Sequence, residues 1–213
     1  MVETVDNLVQ LILTGLCAAS ALAFGARSKS HAWILLGLFA GVFFLGDLYW
    51  LLYLLFYDKT PTTFYVSEFS WYASLLFLMM LLLYIRQEAG LFNVSSRFRR
   101  LFWVIPIFTA GMCAFYMTHG DYLVNLISAF LMTGLIWHSI DGLLSLRGES
   151  PERSGRKYLY CVTLLFCFAE YGLWTSSCFW IGDTLANVYF WFDLLLSITF
   201  VLFLPALRKA VRR

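Results

Sequence analysis

Apolar residues gather along the chain into seven long runs separated by short polar or turn-rich stretches, covering 8–25, 32–57, 64–85, 101–118, 122–146, 158–180 and 185–207. A helix needs about 20 apolar residues to cross roughly 30 Å of hydrocarbon, whereas the strands of a membrane barrel are about 10 residues long and alternate strictly. The pattern therefore predicts an all-α, polytopic membrane protein, a single transmembrane domain over 1–213 with seven spanning helices. Connections such as Thr118-His119-Gly120-Asp121 and Ile181-Gly182-Asp183-Thr184 are short, so successive helices should pack as antiparallel neighbours. Within the runs, Pro106 is expected to kink the fourth helix and Pro205 to end the seventh. Trp33, Trp103, Tyr122 and Trp180 stand at run ends, where interfacial anchoring accounts for them.

Composition narrows the class. Of 213 residues, 61% are hydrophobic and 13% charged, about half the charged share of a water-soluble domain. Soluble, secreted and nucleic-acid-binding readings are excluded, and membrane lipids are the surroundings. Cys17, Cys113, Cys161, Cys167 and Cys178 all fall inside apolar runs with no CxxC pair, which reads as core packing. His31, His119 and His138 belong to three different segments and make no metal site. No cofactor is implied. Glu3 and Asp6 precede the first run without any Lys or Arg, the reverse of a signal peptide's basic start, so that run is expected to be retained.

Charge placement orients the chain. Fourteen of the fifteen Lys and Arg follow the first, third, fifth or seventh run, and only Lys59, beside Asp58, falls on the other side. Basic loops stay cytoplasmic, so the amino terminus is expected outside and the carboxyl terminus inside, in the plasma membrane.

Four carboxylates inside the apolar runs carry the functional information: Asp47, Glu68, Glu170 and Asp193. A carboxylate near the bilayer centre costs at least about 2.5 kcal/mol, and no Lys or Arg accompanies these at similar depth. Counting from the run ends puts Asp47, Glu170 and Asp193 near mid-depth and Glu68 nearer the outer surface, around one outward-facing cavity. Side chains three or four positions apart share a helix face. This brings Trp50 to Asp47, Trp71 and Tyr72 to Glu68, Trp174 to Glu170, and Tyr189 and Ser197 to Asp193, with Asn125 and Ser128 facing one side of the fifth run. Carboxylates and aromatic faces both attract cations. His138 and Asp141, on one face low in the fifth run, make a candidate proton relay or an interfacial polar pair.

The segments around Asp47 (Phe44-Leu45-Gly46-Asp47-Leu48-Tyr49-Trp50) and Glu170 (Phe168-Ala169-Glu170-Tyr171-Gly172-Leu173-Trp174) correspond, and Glu68 and Asp193 follow at separations of 21 and 23 residues. This suggests parallel repeats of three helices joined by a fourth. As architecture, the whole chain resembles the transporter and opsin group that includes SWEET proteins, PQ-loop transporters and microbial rhodopsins. Asp193-Leu194-Leu195-Leu196-Ser197 is similar to the rhodopsin Asp-x-x-x-Lys, but Ser197 replaces the retinal-binding lysine; no Pro-Gln pair occurs. Leu45-Gly46-Asp47 is similar to a carboxylate motif of membrane lysoplasmalogenases, without their other acidic and histidine motifs, and the three-histidine pattern of alkaline ceramidases is absent.

Three functional readings follow. The leading one is binding, and transport, of a small cation or amphipathic amine, proton-coupled if neighbouring carboxylates share protons. The second is a membrane sensor or accessory subunit using the same pocket; the third is an intramembrane lipid hydrolase working through two carboxylates. Oligomeric state is not encoded in any recognisable feature. A reporter fused after Arg213 is expected to be active only if it needs the cytoplasm, and one placed before Met1 only if it needs the exterior; an external carboxyl terminus overturns the orientation.

Overall fold

The structure is a computed structural model that describes residues 2–57, 65–90, 103–120, 122–146, 151–181 and 186–211. Among these, all regular structure is helical: α1 (Val2–Ser28), α2 (His31–Tyr57), α3 (Tyr65–Glu88), α4 (Val104–Tyr116), α5 (Tyr122–Ser145), α6 (Pro151–Ser177) and α7 (Val188–Ala210). Six of the seven are long and apolar enough to cross a membrane; α4 is not. At 13 residues it is about 20 Å long, short of the hydrocarbon thickness. The chain is a multi-pass membrane protein with six spanning-length helices. Asp58, Lys59, Arg97, Arg99, Arg100, Asp121, Arg147, Gly182, Asp183, Thr184, Arg212, Arg213, the Glu3 side chain and the expected run starts at 64, 101 and 185 lie outside the described residues.

Six helices pack in a closed ring, each against the next: α1, α2, α3, α5, α6, α7 and back to α1. The short α4 leans on α5 and reaches α6, where Phe108 meets Tyr171 edge-on at 5.6 Å. The outer surface is apolar: Leu16, Phe69, Ile107, Phe130, Phe168 and Trp191 are all exposed. Such a perimeter is anomalous against water and natural against lipid. At the centre, the rings of Phe39, Phe43, Phe166, Phe200 and Phe203 interlock, with Phe39 stacked on Phe200 at 5.1 Å and meeting Phe166 and Phe203 edge-on. These edge-to-face and offset arrangements match ring quadrupoles while filling the axis of the ring.

Helix ends depart from the apolar runs where polar residues continue or cap a helix. The α6 helix starts at Pro151, seven residues before its apolar run, because a proline in the first turn loses no intrahelical bond. It stops at Ser177 in a tight turn in which the Cys178 and Phe179 amides bond back to Thr175 and Ser176. Asn187 then caps α7: its Oδ1 accepts from the Tyr189 amide at 3.1 Å while its Nδ2 donates to the Ile181 carbonyl at 2.9 Å.

Four expectations are corrected. Pro106 falls in the first turn of α4, where its missing N–H is not required, and gives no reason for a kink. Pro205 lies inside α7, which continues to Ala210 because Ala206, Leu207 and Ala210 are buried against the bundle. Trp33 is buried and packs on Phe24 rather than anchoring at an interface. Cys161 is exposed on the perimeter, outside the core that holds Cys17, Cys113 and Cys167.

Where α6 meets α7 at the end opposite Asn187, Gly155 faces the α7 backbone, and a Cβ there would collide with the Lys209 carbonyl. Backbone cannot turn aside as a side chain can. Gly155→Ala is therefore expected to destabilise by about 1 to 3 kcal/mol, while Gly111→Ala, with open space around it, should not lower stability. Thermal unfolding of the detergent-purified variants checks the contrast; equal midpoints would refute this packing.

Candidate functional site

One half of the ring encloses a cavity of about 670 Å³, in the size range of small-molecule sites. Its wall comes from the starts of α1, α3, α5 and α7 and the ends of α2, α4 and α6. Exposed His119, Gly120 and Trp180 mark where it reaches the surface, and Phe43, Leu75 and Leu196 floor it above the phenylalanine core. Asp47, Glu68, Glu170 and Asp193 all line it, together with Trp50, Trp71, Tyr72, Trp174, Tyr189, Asn125 and Ser128. No Lys or Arg is among the lining residues. Ser197 is not part of it: one turn deeper than Asp193, it is buried at 2% exposure.

Each acid is held differently. Asp47 Oδ1 accepts from the Trp71 indole N–H at 3.1 Å. This contact depends on Gly46, since a Cβ there would stand 2.7 Å from Trp71 Nε1 and push the indole away. Thr14 Oγ1 is 3.4 Å from Asp47 Oδ2 but only 3.0 and 3.1 Å from the Gln10 and Leu11 carbonyls. A hydroxyl has one proton to give, and the shorter contacts claim it. Asp193 lies in the second turn of α7, nearer the helix end than its expected mid-depth position, with the carboxyl of Asp6 on α1 as its neighbour. Glu170 is 5% exposed and has no hydrogen-bond partner among the described residues; the nearby charges it feels are those of Asp47 and Asp193, which repel it.

Aromatic rings form the rest of the wall. Trp50 and Trp71 are 6.1 Å apart, Trp174 meets Tyr116 and Tyr171 edge-on at 6.1 and 6.0 Å, and Trp180 lies 5.3 Å from Tyr189. Tyr116, from the short α4, also donates to the Tyr171 carbonyl or shares a hydrogen bond with Thr175 (3.1 and 2.8 Å). That tie brings the end of α4 against the cavity although α4 does not span.

The α1 contribution escaped the sequence reading, in which Asp6 served only to exclude a signal peptide. Asp6, Asn7 and Gln10 line the cavity, and Asp6, Gln10 and Thr14 repeat every four residues, a polar stripe on one helix face that the apolar count conceals. Tyr116, His119 and Trp180 were also missed, since α4 and the turn after α6 place them by packing.

Asp141, which shares a helix face with His138, has a partner on another helix. Asp141 is fully buried and its carboxylate forms an ion pair with Arg86 of α3, while His138 Nδ1 has no hydrogen-bond partner among the described residues. At 15% exposure, Arg86 reaches across from the neighbouring helix to make a charge-assisted contact. The pair belongs to the opposite end of the bundle from the cavity.

Comparison with protein-family models, curated proteins and solved structures finds no match to this chain.

Removing one member of a buried ion pair strands the other. Arg86→Met alone is expected to destabilise by about 3 kcal/mol or more, and Arg86→Met with Asp141→Leu to recover most of that loss. A double variant as unstable as the single, measured by thermal unfolding, would show that the pair is not the tie between α3 and α5.

Proposed function

We propose that this protein binds a small organic cation or amphipathic amine in the acidic, aromatic cavity and carries it across the plasma membrane. The observation that supports this most is Glu170: a carboxyl buried in an apolar bundle, lining a cavity, with no hydrogen-bond donor among the described residues and two other acids near it. Such a group needs a proton or a cation from outside. The Trp and Tyr faces favour an organic cation, because their quadrupoles attract a desolvated ammonium and their area buries its apolar part. Anions meet repulsion from both.

In this reading the amino terminus is external, so the cavity faces outward and the Arg86–Asp141 end faces the cytoplasm. The helix triplets α1–α3 and α5–α7 are parallel repeats around the site, with Asp47 and Glu170 as corresponding groups. Carboxylates this close in a water-poor cavity cannot all be charged together, so an arriving ammonium competes with protons held by Asp6, Asp193 and Glu170. Exchange of cation for proton follows, and rearrangement of the two halves about the site would expose it to the other side.

The test has two arms. Thermal unfolding of purified protein against matched panels of organic cations, neutral molecules and anions should show stabilisation by cations alone, weakened in Glu170→Gln. Proteoliposomes should then show cation uptake with opposing proton movement. Stabilisation by cations without flux would favour the sensor or accessory-subunit reading. Stabilisation confined to neutral or anionic lipids, with product released from them, would favour the hydrolase.

A further inference from the structure

The ion pair at the end opposite the cavity sits among polar side chains that it does not account for. Tyr160 of α6 is fully buried, and its hydroxyl has no hydrogen-bond partner among the described residues; neither has Ser139 Oγ, also fully buried, nor His138 Nδ1. Thr133, Thr163 and Ser176 each donate to a carbonyl one turn back in their own helix, and Ser139 does not. Polar atoms buried this deeply are normally bonded to the chain or to ordered water, because their lost hydration is otherwise not replaced.

Packing brings these groups to one patch. A Cβ on Gly142 would stand 2.4 Å from Tyr160 Cζ, the carbon that bears the hydroxyl, so the tip of the phenol lies against α5 at Gly142. His138 and Ser139 precede Gly142 by four and three residues and share its helix face, and Asp141 is its direct neighbour. Arg86 reaches Asp141 from α3. Asp141 is four residues from the end of α5 and Arg86 two from the end of α3, so the patch is about one turn inside the bundle. A cation there would meet Arg86 and an anion Asp141, and among the described residues no three acidic, His or Cys side chains gather to hold a metal ion. Water is uncharged and both donates and accepts, as two hydroxyls and an imidazole beside an ion pair require.

We propose that this patch is a water-binding site, in which ordered water bridges the Tyr160 and Ser139 hydroxyls and His138 Nδ1 to the Arg86–Asp141 pair and so ties α6 to α3 and α5. The site is independent of the cavity and of the cation reading.

Tyr160→Phe keeps the ring and removes only the hydroxyl, so it tests the bridge with little disturbance to packing. A water deprived of that partner should lower the unfolding midpoint of the purified full chain by about 2 to 4 °C, roughly the loss of one hydrogen bond. Introduced into the Arg86→Met, Asp141→Leu double variant, the same change should lose most of its effect, since the groups it was coupled to are gone. X-ray hydroxyl-radical footprinting of the unaltered protein reads the water directly, because radicals formed from a bound water oxidise the side chain beside it. Tyr160 should be oxidised despite its burial, and Phe166, equally buried in the apolar core, should not. A midpoint unchanged or raised by Tyr160→Phe, a drop of equal size in both backgrounds, or a Tyr160 no more oxidised than Phe166 would each overturn the water site.

Discussion

A carboxyl group inside an apolar bundle must be compensated, and the arrangement of this protein follows from how each one is. Asp141 is answered by the guanidinium of Arg86 and Asp47 by the indole N–H of Trp71, while Asp6 and Asp193 lie beside each other. The first two are compensations of different strength: charge neutralisation and one hydrogen bond. Glu170 has none of them within the described chain. The bundle thus has an ion pair at one end and an acidic cavity at the other.

The same asymmetry is seen in the packing. Below the floor of the cavity the rings of Phe39, Phe43, Phe166, Phe200 and Phe203 interlock, and Arg86–Asp141 ties α3 to α5 beyond them. Above the floor the residues facing inward change from phenylalanine to tryptophan and tyrosine, whose polar edges can donate while their faces remain apolar. The short α4 belongs to this upper half. It adds no full span, but Tyr116 locks it to α6 beside Trp174.

Asp47 illustrates how local sequence and distant structure divide the work. Its burial is legible from one apolar run. The donor that holds it comes from α3, and the contact needs the missing side chain of Gly46, which no periodicity reveals. Asp6 shows the converse error. Near the start of a run and next to polar residues it looked like a flank, and only the neighbouring α7 turns it into half of a carboxyl pair.

The sequence by itself determined the all-helical membrane class, the places of the long helices and the four buried acids with their aromatic neighbours. Each of these depends on residues close together in the chain, where hydrophobicity and the 3.6-residue period act directly. It overstated α4, because an apolar run bounds where a helix can be but not how far it extends. The tertiary structure decided the rest: the ring order of helices, the choice of Arg86 as partner to Asp141, the exclusion of Ser197 and the entry of α1 into the cavity wall. Those outcomes depend on which helices touch and at what depth, and contacts between distant segments leave no pattern within any one of them.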